Sequence, residues 1–209
     1  MPGVPMTGDA AHGSLTLVTG GVRSGKSAFA QSLADALGSG VLFVATAEAG
    51  DAEMTRRIAR HQADRPEGWT TLEVRRGVGD AIAAADRPVV LVDCLTLLVS
   101  NILCDGFEES GKAMTQLERE VDAEADALIA AAGRSHVVIV SGEVGSGLVP
   151  EHAMSRAFRD LLGMANQRLA AAASAAFLLV AGRAVPLHAV AVTPESVARS
   201  LTSRSEGRA

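Results

Sequence analysis

A glycine-rich segment near the start of the chain constrains its fold more than any other feature. The segment reads Gly20-Gly21-Val22-Arg23-Ser24-Gly25-Lys26-Ser27 and fits G-x-x-x-x-G-K-[ST], the pattern of a phosphate-binding loop. The apolar run Leu15–Thr19 before it predicts a buried strand, and Ala28–Ala34 after it predicts a helix that opens at Lys26 or Ser27. An ordinary glycine turn is the alternative, and the Gly-Lys-Ser triplet at the strand-to-helix junction disfavours it.

The positions of the residues within this loop predict which of them contact phosphate and which bind a metal ion. Glycines let successive backbone N–H groups curl around phosphate oxygens, and the helix N-terminus adds partial positive charge. Lys26 would then reach the β- and γ-phosphates, and the Ser27 hydroxyl would bind Mg²⁺. Asp93, which ends the apolar run Val89–Val92, is the expected second magnesium ligand. The alternative for Asp93 is an N-cap of the helix that starts near Leu95.

Composition limits the classes of protein to which the chain can belong. Its 209 residues suit one domain, and a net charge of −5 argues against a nucleic-acid partner. Its two cysteines, Cys94 and Cys104, are too few for a disulfide framework, so we expect reduced thiols in a cytoplasmic protein without a membrane span. We expect a disordered arm over residues 1–13, one nucleotide-binding catalytic domain over 14–202 and a frayed tail over 203–209.

Strand-like and helix-like segments alternate along the chain. Strands are predicted at Leu15–Thr19, Val41–Ala45, Thr70–Val74, Val89–Val92, His136–Val140, Phe177–Val180 and, as an edge strand, Val185–Val192. Helices are predicted at Asp51–Ala63, Gly79–Ala85, Leu95–Leu103, Lys112–Ala132 and Glu151–Ala172, with another starting at Pro194. This alternation predicts an α/β fold: a doubly wound, mainly parallel sheet of the P-loop NTPase (RecA-like) type with helices on both faces. Ligands would gather at the carboxyl ends of its strands.

His61 is the candidate nucleophile. It lies near the end of the predicted helix Asp51–Ala63, with Arg57, Arg60 and Arg65 beside it or one turn away. Cationic neighbours disfavour imidazolium, and a neutral ring nitrogen can attack phosphorus. A histidine on a charged, solvated helix face is the alternative.

Four motifs in collinear order resemble one known family. They are the loop Thr19–Ser27, the segment Glu53–Pro66 containing His61, the glycine-rich loop Glu143–Glu151, and the helical stretch that joins Phe158-Arg159-Asp160 to Asn166–Ala170. Together they resemble the bifunctional adenosylcobinamide kinase/adenosylcobinamide-phosphate guanylyltransferases of cobalamin biosynthesis. The resemblance runs from about Leu15 to Val185.

The resemblance implies two reactions on one substrate. A nucleoside triphosphate, ATP or GTP, phosphorylates the aminopropanol hydroxyl of adenosylcobinamide, and GTP then transfers GMP to that phosphate through a guanylyl-histidine, which would form on His61. The resemblance also implies Mg²⁺, a homotrimer, and guanine recognition by Glu73. Further implied nucleotide contacts are Ala45, Thr46, Ala47, Gln62, Ala63, Asp64 and Arg65.

Two other functions fit parts of this pattern. One is a P-loop kinase that phosphorylates another small hydroxyl substrate, with His61 incidental. The other is a GTP-dependent switch, but such switches usually read guanine with Asn-Lys-x-Asp, which the sequence lacks.

Overall fold

Seven strands form one sheet in the part of the chain that the computed structural model describes, namely residues 13–47, 66, 68–107 and 113–199. The strands are β1 (Ser14–Gly20), β2 (Leu42–Ala45), β3 (Thr70–Glu73), β4 (Val89–Asp93), β5 (His136–Val140), β6 (Ala175–Val180) and β7 (Arg183–Pro186). Their order across the sheet is β3-β2-β4-β5-β1-β6-β7. Every neighbouring pair is parallel except β6 and β7, which are antiparallel.

Helices cover both faces of this sheet. They are α1 (Lys26–Leu37), α2 (Val78–Ala85), α3 (Leu95–Phe107), α4 (Met114–Ala131), α5 (Ala153–Ala172) and α6 (Leu187–Val190), and residues 194–199 are also helical. Helix α1 packs on one face, whereas the buried residues of α2, α3, α4 and α5 belong to the core on the other face. The predicted fold class is confirmed.

The central strands supply both halves of the core because their side chains alternate between the faces. In β4, Val90 and Val92 join the core beneath α2–α5, while Val89 and Leu91 join the core beneath α1. All four side chains are at most 1% exposed. A strand covered on both faces needs apolar residues at every position, which is why it reads as an unbroken apolar run.

The largest differences between predicted and observed boundaries are in helix α3 and in the edge strand. Helix α3 was expected to end at Leu103 but continues to Phe107, and Asp105 in its last turn forms a salt bridge with Arg75 at 3.1 Å. The edge strand was expected at Val185–Val192 but lies at Arg183–Pro186. Pro186 lacks the N–H that a longer ladder would need, so the strand ends there and the short helix α6 follows.

The turn between β6 and β7 explains why the edge strand starts early. Ala181 and Gly182 have φ of 49° and 75°, and Val180 pairs with Arg183. Two residues of positive φ between antiparallel strands form the tight hairpin turn that matches strand twist.

None of the helices in the described ranges combines the length and apolar character of a bilayer-spanning segment.

Candidate nucleotide-binding and active site

The loop between β1 and α1 has the backbone shape that its sequence predicts. Gly20 ends the strand with φ 148°, Arg23 has φ 56°, and Gly25 precedes the first turn of α1 with φ 97°. The Ser24 N–H donates to the Gly21 carbonyl at 3.3 Å, which closes a turn at the tip. Lys26 Nζ donates to the same carbonyl at 2.6 Å, so the ammonium group lies over the loop. A phosphate bound by the loop would meet this charge.

Neighbouring segments hold the loop at both ends. The Glu143 N–H, just after β5, donates to the Gly20 carbonyl at 3.1 Å, and the Gly182 N–H of the β6–β7 hairpin donates to the Ser24 carbonyl at 2.9 Å. A Cβ on Gly25 would lie 3.1 Å from the Gly182 Cα, so the hairpin packs directly against the loop. This support was not predicted from the sequence, because Ala181-Gly182 is not one of the dipeptides, such as Asn-Gly, that are typical of a two-residue hairpin turn.

Gly20 offers a test of this packing. A Cβ at Gly20 would lie 2.5 Å from the Leu179 carbonyl oxygen, whereas a Cβ at Gly21 would meet nothing within 4 Å. We therefore expect Gly20→Ala to lower the free energy of unfolding by about 1–3 kcal/mol and Gly21→Ala to change it by less than about 1 kcal/mol. Urea unfolding without nucleotide measures both, and equal losses would contradict the close approach of Gly20 to β6.

Two buried hydroxyl groups beside the loop lack a partner. Within the described residues, Thr19 Oγ1 and Ser24 Oγ are buried and form no hydrogen bond. Buried polar groups are almost always hydrogen-bonded, so an orphaned pair at a phosphate-binding loop fits a ligand that supplies acceptor oxygens. These hydroxyls add to the backbone N–H groups as candidate phosphate contacts.

Ser27 and Asp93 carry side-chain oxygens of the kind that Mg²⁺ prefers as ligands. Ser27 lies in the first turn of α1, and the half-buried Asp93 ends β4, two strand places from β1, or about 10 Å across the sheet. The described residues contain no group of three or more His, Cys, Asp or Glu side chains able to hold a metal ion.

Thr46 holds the end of β4 in place. Its side chain is fully buried, and its hydroxyl donates to the Cys94 carbonyl at 2.7 Å and accepts from the Cys94 N–H at 2.9 Å. Its own carbonyl accepts from Asn101 Nδ2 at 3.0 Å. The Thr46 hydroxyl is therefore not free to form the predicted nucleotide contact. Instead, it fixes the backbone of Cys94, the residue after Asp93.

Cys94 is held in its protonated form. Burial first, and then the charge of Asp93, raise the pKa of the Cys94 thiol from 9.0 to about 11. At a pH between these two pKa values, the thiol loses its proton in the unfolded chain but keeps it in the folded chain. The Cys94 thiol therefore lowers the free energy of unfolding as the pH rises above about 9.

The two cysteines should therefore differ in reactivity. Cys104 is exposed, whereas Cys94 is partly buried with a raised pKa. Because the thiolate is the reactive form, we expect iodoacetamide at about pH 8 to label Cys104 much faster than Cys94 in the native protein, and both after denaturation. Peptide mass spectrometry measures each site, and equal native rates would contradict the environment assigned to Cys94.

The remaining predicted nucleotide contacts divide into two groups. Ala45 and Ala47 flank Thr46 at the end of β2, and the exposed Glu73 ends the neighbouring strand β3, so all lie at the carboxyl edge of the sheet. His61, with the segment Gln62, Ala63, Asp64 and Arg65, lies outside the described residues, as does the predicted helix Asp51–Ala63.

A hydrogen-bond network anchors the residues after β5. Ser141 Oγ donates to Asn166 Oδ1 at 2.6 Å, and Asn166 Nδ2 donates to the Gly142 carbonyl at 3.0 Å. The Gly142 N–H donates to Thr96 Oγ1 at 2.7 Å. Helices α3 and α5 therefore fix the segment whose next residue, Glu143, contacts the phosphate-binding loop. Neither Thr96 nor the role of Asn166 was predicted from the sequence.

Two arginines of α5 anchor the rest of this loop. Arg159 donates to the carbonyls of Leu148 at 2.8 Å and Gly145 at 3.1 Å. Arg156 donates to the carbonyls of Pro150 at 2.9 Å and Glu151 at 2.6 Å. These four bonds order a loop that lies beside the phosphate-binding loop.

The sheet order, the glycine loop and the position of Asp93 together define a P-loop nucleoside triphosphate-binding fold. An ATPase of a bacterial type III secretion system superposes on this chain with a TM-score of 0.54 at 11% identity, covering 88% of this chain and 60% of the ATPase. At that identity the likeness concerns the fold alone.

Sequence comparison identifies the family within this class. The model of the family described as cobinamide kinase / cobinamide phosphate guanyltransferase matches residues 16–187. The bifunctional adenosylcobalamin biosynthesis protein CobU of Escherichia coli K12 is 43% identical over 180 residues, which cover 83% of this chain and 99% of that protein. CobP of Pseudomonas aeruginosa is 40% identical over 177 residues, covering 82% and 95%. The chain belongs to the cobinamide kinase / cobinamide phosphate guanyltransferase family.

Proposed function

We propose that this chain catalyses two consecutive reactions on adenosylcobinamide. In the first, a nucleoside triphosphate phosphorylates the aminopropanol hydroxyl. In the second, GTP transfers GMP to the new phosphate and releases pyrophosphate. The match of residues 16–187 to the family model carries this proposal, and the phosphate-binding loop supports it.

Lys26, Ser27 and Asp93 would bind the triphosphate and its metal. Lys26 begins α1 with its ammonium group over the loop, where it would offset negative charge on the β- and γ-phosphates. Ser27 and Asp93 would hold Mg²⁺, which when bound neutralises charge on the leaving group. The orphaned hydroxyls of Thr19 and Ser24 would donate to phosphate oxygens.

His61 would carry the GMP group between GTP and the acceptor. A neutral ring nitrogen would attack the α-phosphorus of GTP, the bond to the β-phosphate oxygen would break, and pyrophosphate would leave with that electron pair. The acceptor phosphate would then attack the same phosphorus and release the imidazole. This role rests on the resemblance around His61 and on the neighbouring arginines Arg57, Arg60 and Arg65 in the sequence.

Guanine recognition is assigned to Glu73. A carboxylate can accept together from N1–H and the 2-amino group of guanine, which are adjacent donors. Glu73 is exposed at the carboxyl end of β3. Ala45, Thr46, Ala47 and the segment 62–65 complete the proposed nucleotide site, and a homotrimer is the assembly that the resemblance implies.

Two labels on the nucleotide distinguish the bifunctional enzyme from a kinase alone. With adenosylcobinamide and Mg²⁺, γ-labelled nucleotide should transfer label to the corrinoid, and α-labelled GTP should then label the final product with release of pyrophosphate. Transfer of γ-label without transfer of α-label would leave only a P-loop kinase.

A further inference from the structure

Glu143 lies at the carboxyl edge of the sheet beside the phosphate-binding loop. It follows β5, which lies between β1 and β4, and its backbone N–H contacts Gly20. Of the strand-end carboxylates in the described ranges, Glu143 follows the strand next to β1, whereas Asp93 is two strand places away and Glu73 is four. At the usual spacing between strands, the strands that end at or just before Glu143, Asp93 and Glu73 lie about 5, 10 and 19 Å from β1.

The loop orients the Glu143 carboxylate without neutralising it. One oxygen accepts from the Gly145 N–H at 2.8 Å and the other from Ser146 Oγ at 3.0 Å. Arg159 in turn holds the Gly145 carbonyl. The side chain is exposed, and within the described part of the chain no cationic group forms a salt bridge with it.

Gly145 leaves room for this arrangement. A Cβ at Gly145 would lie 2.9 Å from Glu143 Oε1, closer than a side-chain carbon can approach without displacing the carboxylate. The glycine therefore lets the carboxylate fold back onto the loop and keep a fixed direction. An oriented carboxylate with a free lone pair beside a phosphate-binding loop has the features of a general base.

We propose that Glu143 is the general base of the phosphorylation step, an inference that rests on the proposed function. The acceptor hydroxyl oxygen forms a bond to the γ-phosphorus while the bond from that phosphorus to the β–γ bridging oxygen breaks. The nucleoside diphosphate leaves with the electron pair of the broken bond. The hydroxyl proton passes to a carboxylate oxygen of Glu143, as in kinases that use an aspartate for this purpose.

The second reaction needs no such base. Its acceptor is a phosphate monoester, which is already largely ionised at neutral pH because its second pKa is about 6. No proton has to leave the attacking oxygen, so removing the base should affect one reaction and spare the other.

The test is Glu143→Gln, assayed on the two reactions separately. We expect kcat for phosphorylation of the hydroxyl to fall by about 10²-fold or more. Guanylyl transfer to acceptor that is already phosphorylated, and the Kd for nucleotide, should stay within about two-fold of the parent. Glu151→Gln makes the same chemical change at an exposed position at the end of the same loop and should leave both reactions unchanged.

Gly145→Ala gives a second, independent probe. Because its Cβ would displace the Glu143 carboxylate, it should lower phosphorylation while sparing guanylyl transfer. Equal loss of both reactions in Glu143→Gln, or loss of neither, would overturn the inference. A parent protein that phosphorylates but never transfers GMP would instead overturn the second half of the proposed function, and Glu143 would still be tested by the first reaction.

Discussion

Lys26→Ala is expected to abolish both reactions, with kcat/KM for each falling by about 10³-fold or more. Lys26 is the first residue of α1, and its Nζ lies 2.6 Å from the Gly21 carbonyl, which places the charge over the loop. Both reactions break a bond within a triphosphate, so both develop negative charge that this ammonium group would stabilise.

The matched control is Lys112→Ala, which removes the chain's other lysine. It should leave both reactions within about two-fold of the parent, and the Kd for nucleotide should weaken only in Lys26→Ala. Steady-state kinetics on each reaction and a fluorescent-nucleotide titration provide these values. A Lys26→Ala protein that keeps either reaction at the parental rate would show that this reaction uses a different triphosphate site.

His61→Ala is expected to abolish guanylyl transfer, by at least about 10³-fold, while phosphorylation continues near the parental rate. The reason is chemical: in the proposed scheme only the second reaction would pass through a covalent group on imidazole, whereas the first would be a direct transfer from nucleotide to hydroxyl. Separate assays with γ-labelled and α-labelled nucleotide measure the two rates.

His188→Ala serves as the control because it removes an exposed histidine from α6, beyond the edge strand β7. It should change neither reaction. If His61→Ala lowered both reactions equally, or neither, the chain would be better described as a kinase in which His61 has no covalent role. Three variants should therefore give three distinct patterns. Lys26→Ala should lose both reactions, His61→Ala only guanylyl transfer, and Glu143→Gln only phosphorylation.

The features that were predictable from the sequence are those encoded locally. The continuous apolar run at Val89–Val92 predicted a strand buried on both faces, and His136–Val140 predicted a second buried strand. The structure places the two side by side as β4 and β5. The glycine pattern predicted the loop between β1 and α1. The rule that ligands gather at strand carboxyl ends predicted the edge where the loop, Asp93 and Glu143 lie.

The features that were missed depend on contacts between distant parts of the chain. Thr96 supports Gly142 from 46 residues away, and Asn166 supports Ser141 from 25 residues away. No local pattern identifies such partners, because they meet only once the sheet order brings α3 and α5 to the end of β5. The hairpin at Gly182 contacts the phosphate-binding loop for the same reason, since β6 is the neighbour of β1.

Edge elements were also harder to predict than central ones. The continuation from Pro186 into α6 lies where side chains are largely exposed, so little apolar periodicity marks it. The last turn of α3 was difficult to predict because it contains Gly106, and glycine has a low helix propensity. In the structure Asp105 of this turn forms a salt bridge with Arg75. In both places tertiary contacts or backbone chemistry outweighed local propensity.

The most direct test of the account is covalent labelling of the protein by α-labelled GTP and Mg²⁺ without corrinoid. We expect label to remain attached after denaturation, to be lost in acid and to survive in base, as a phosphoramidate on histidine requires, and to be absent from His61→Ala. Lys26→Ala should also label poorly, because the triphosphate would not be held for attack. A parent protein that acquires no label, or whose label is unaffected by His61→Ala, would contradict the proposal that His61 carries the GMP group.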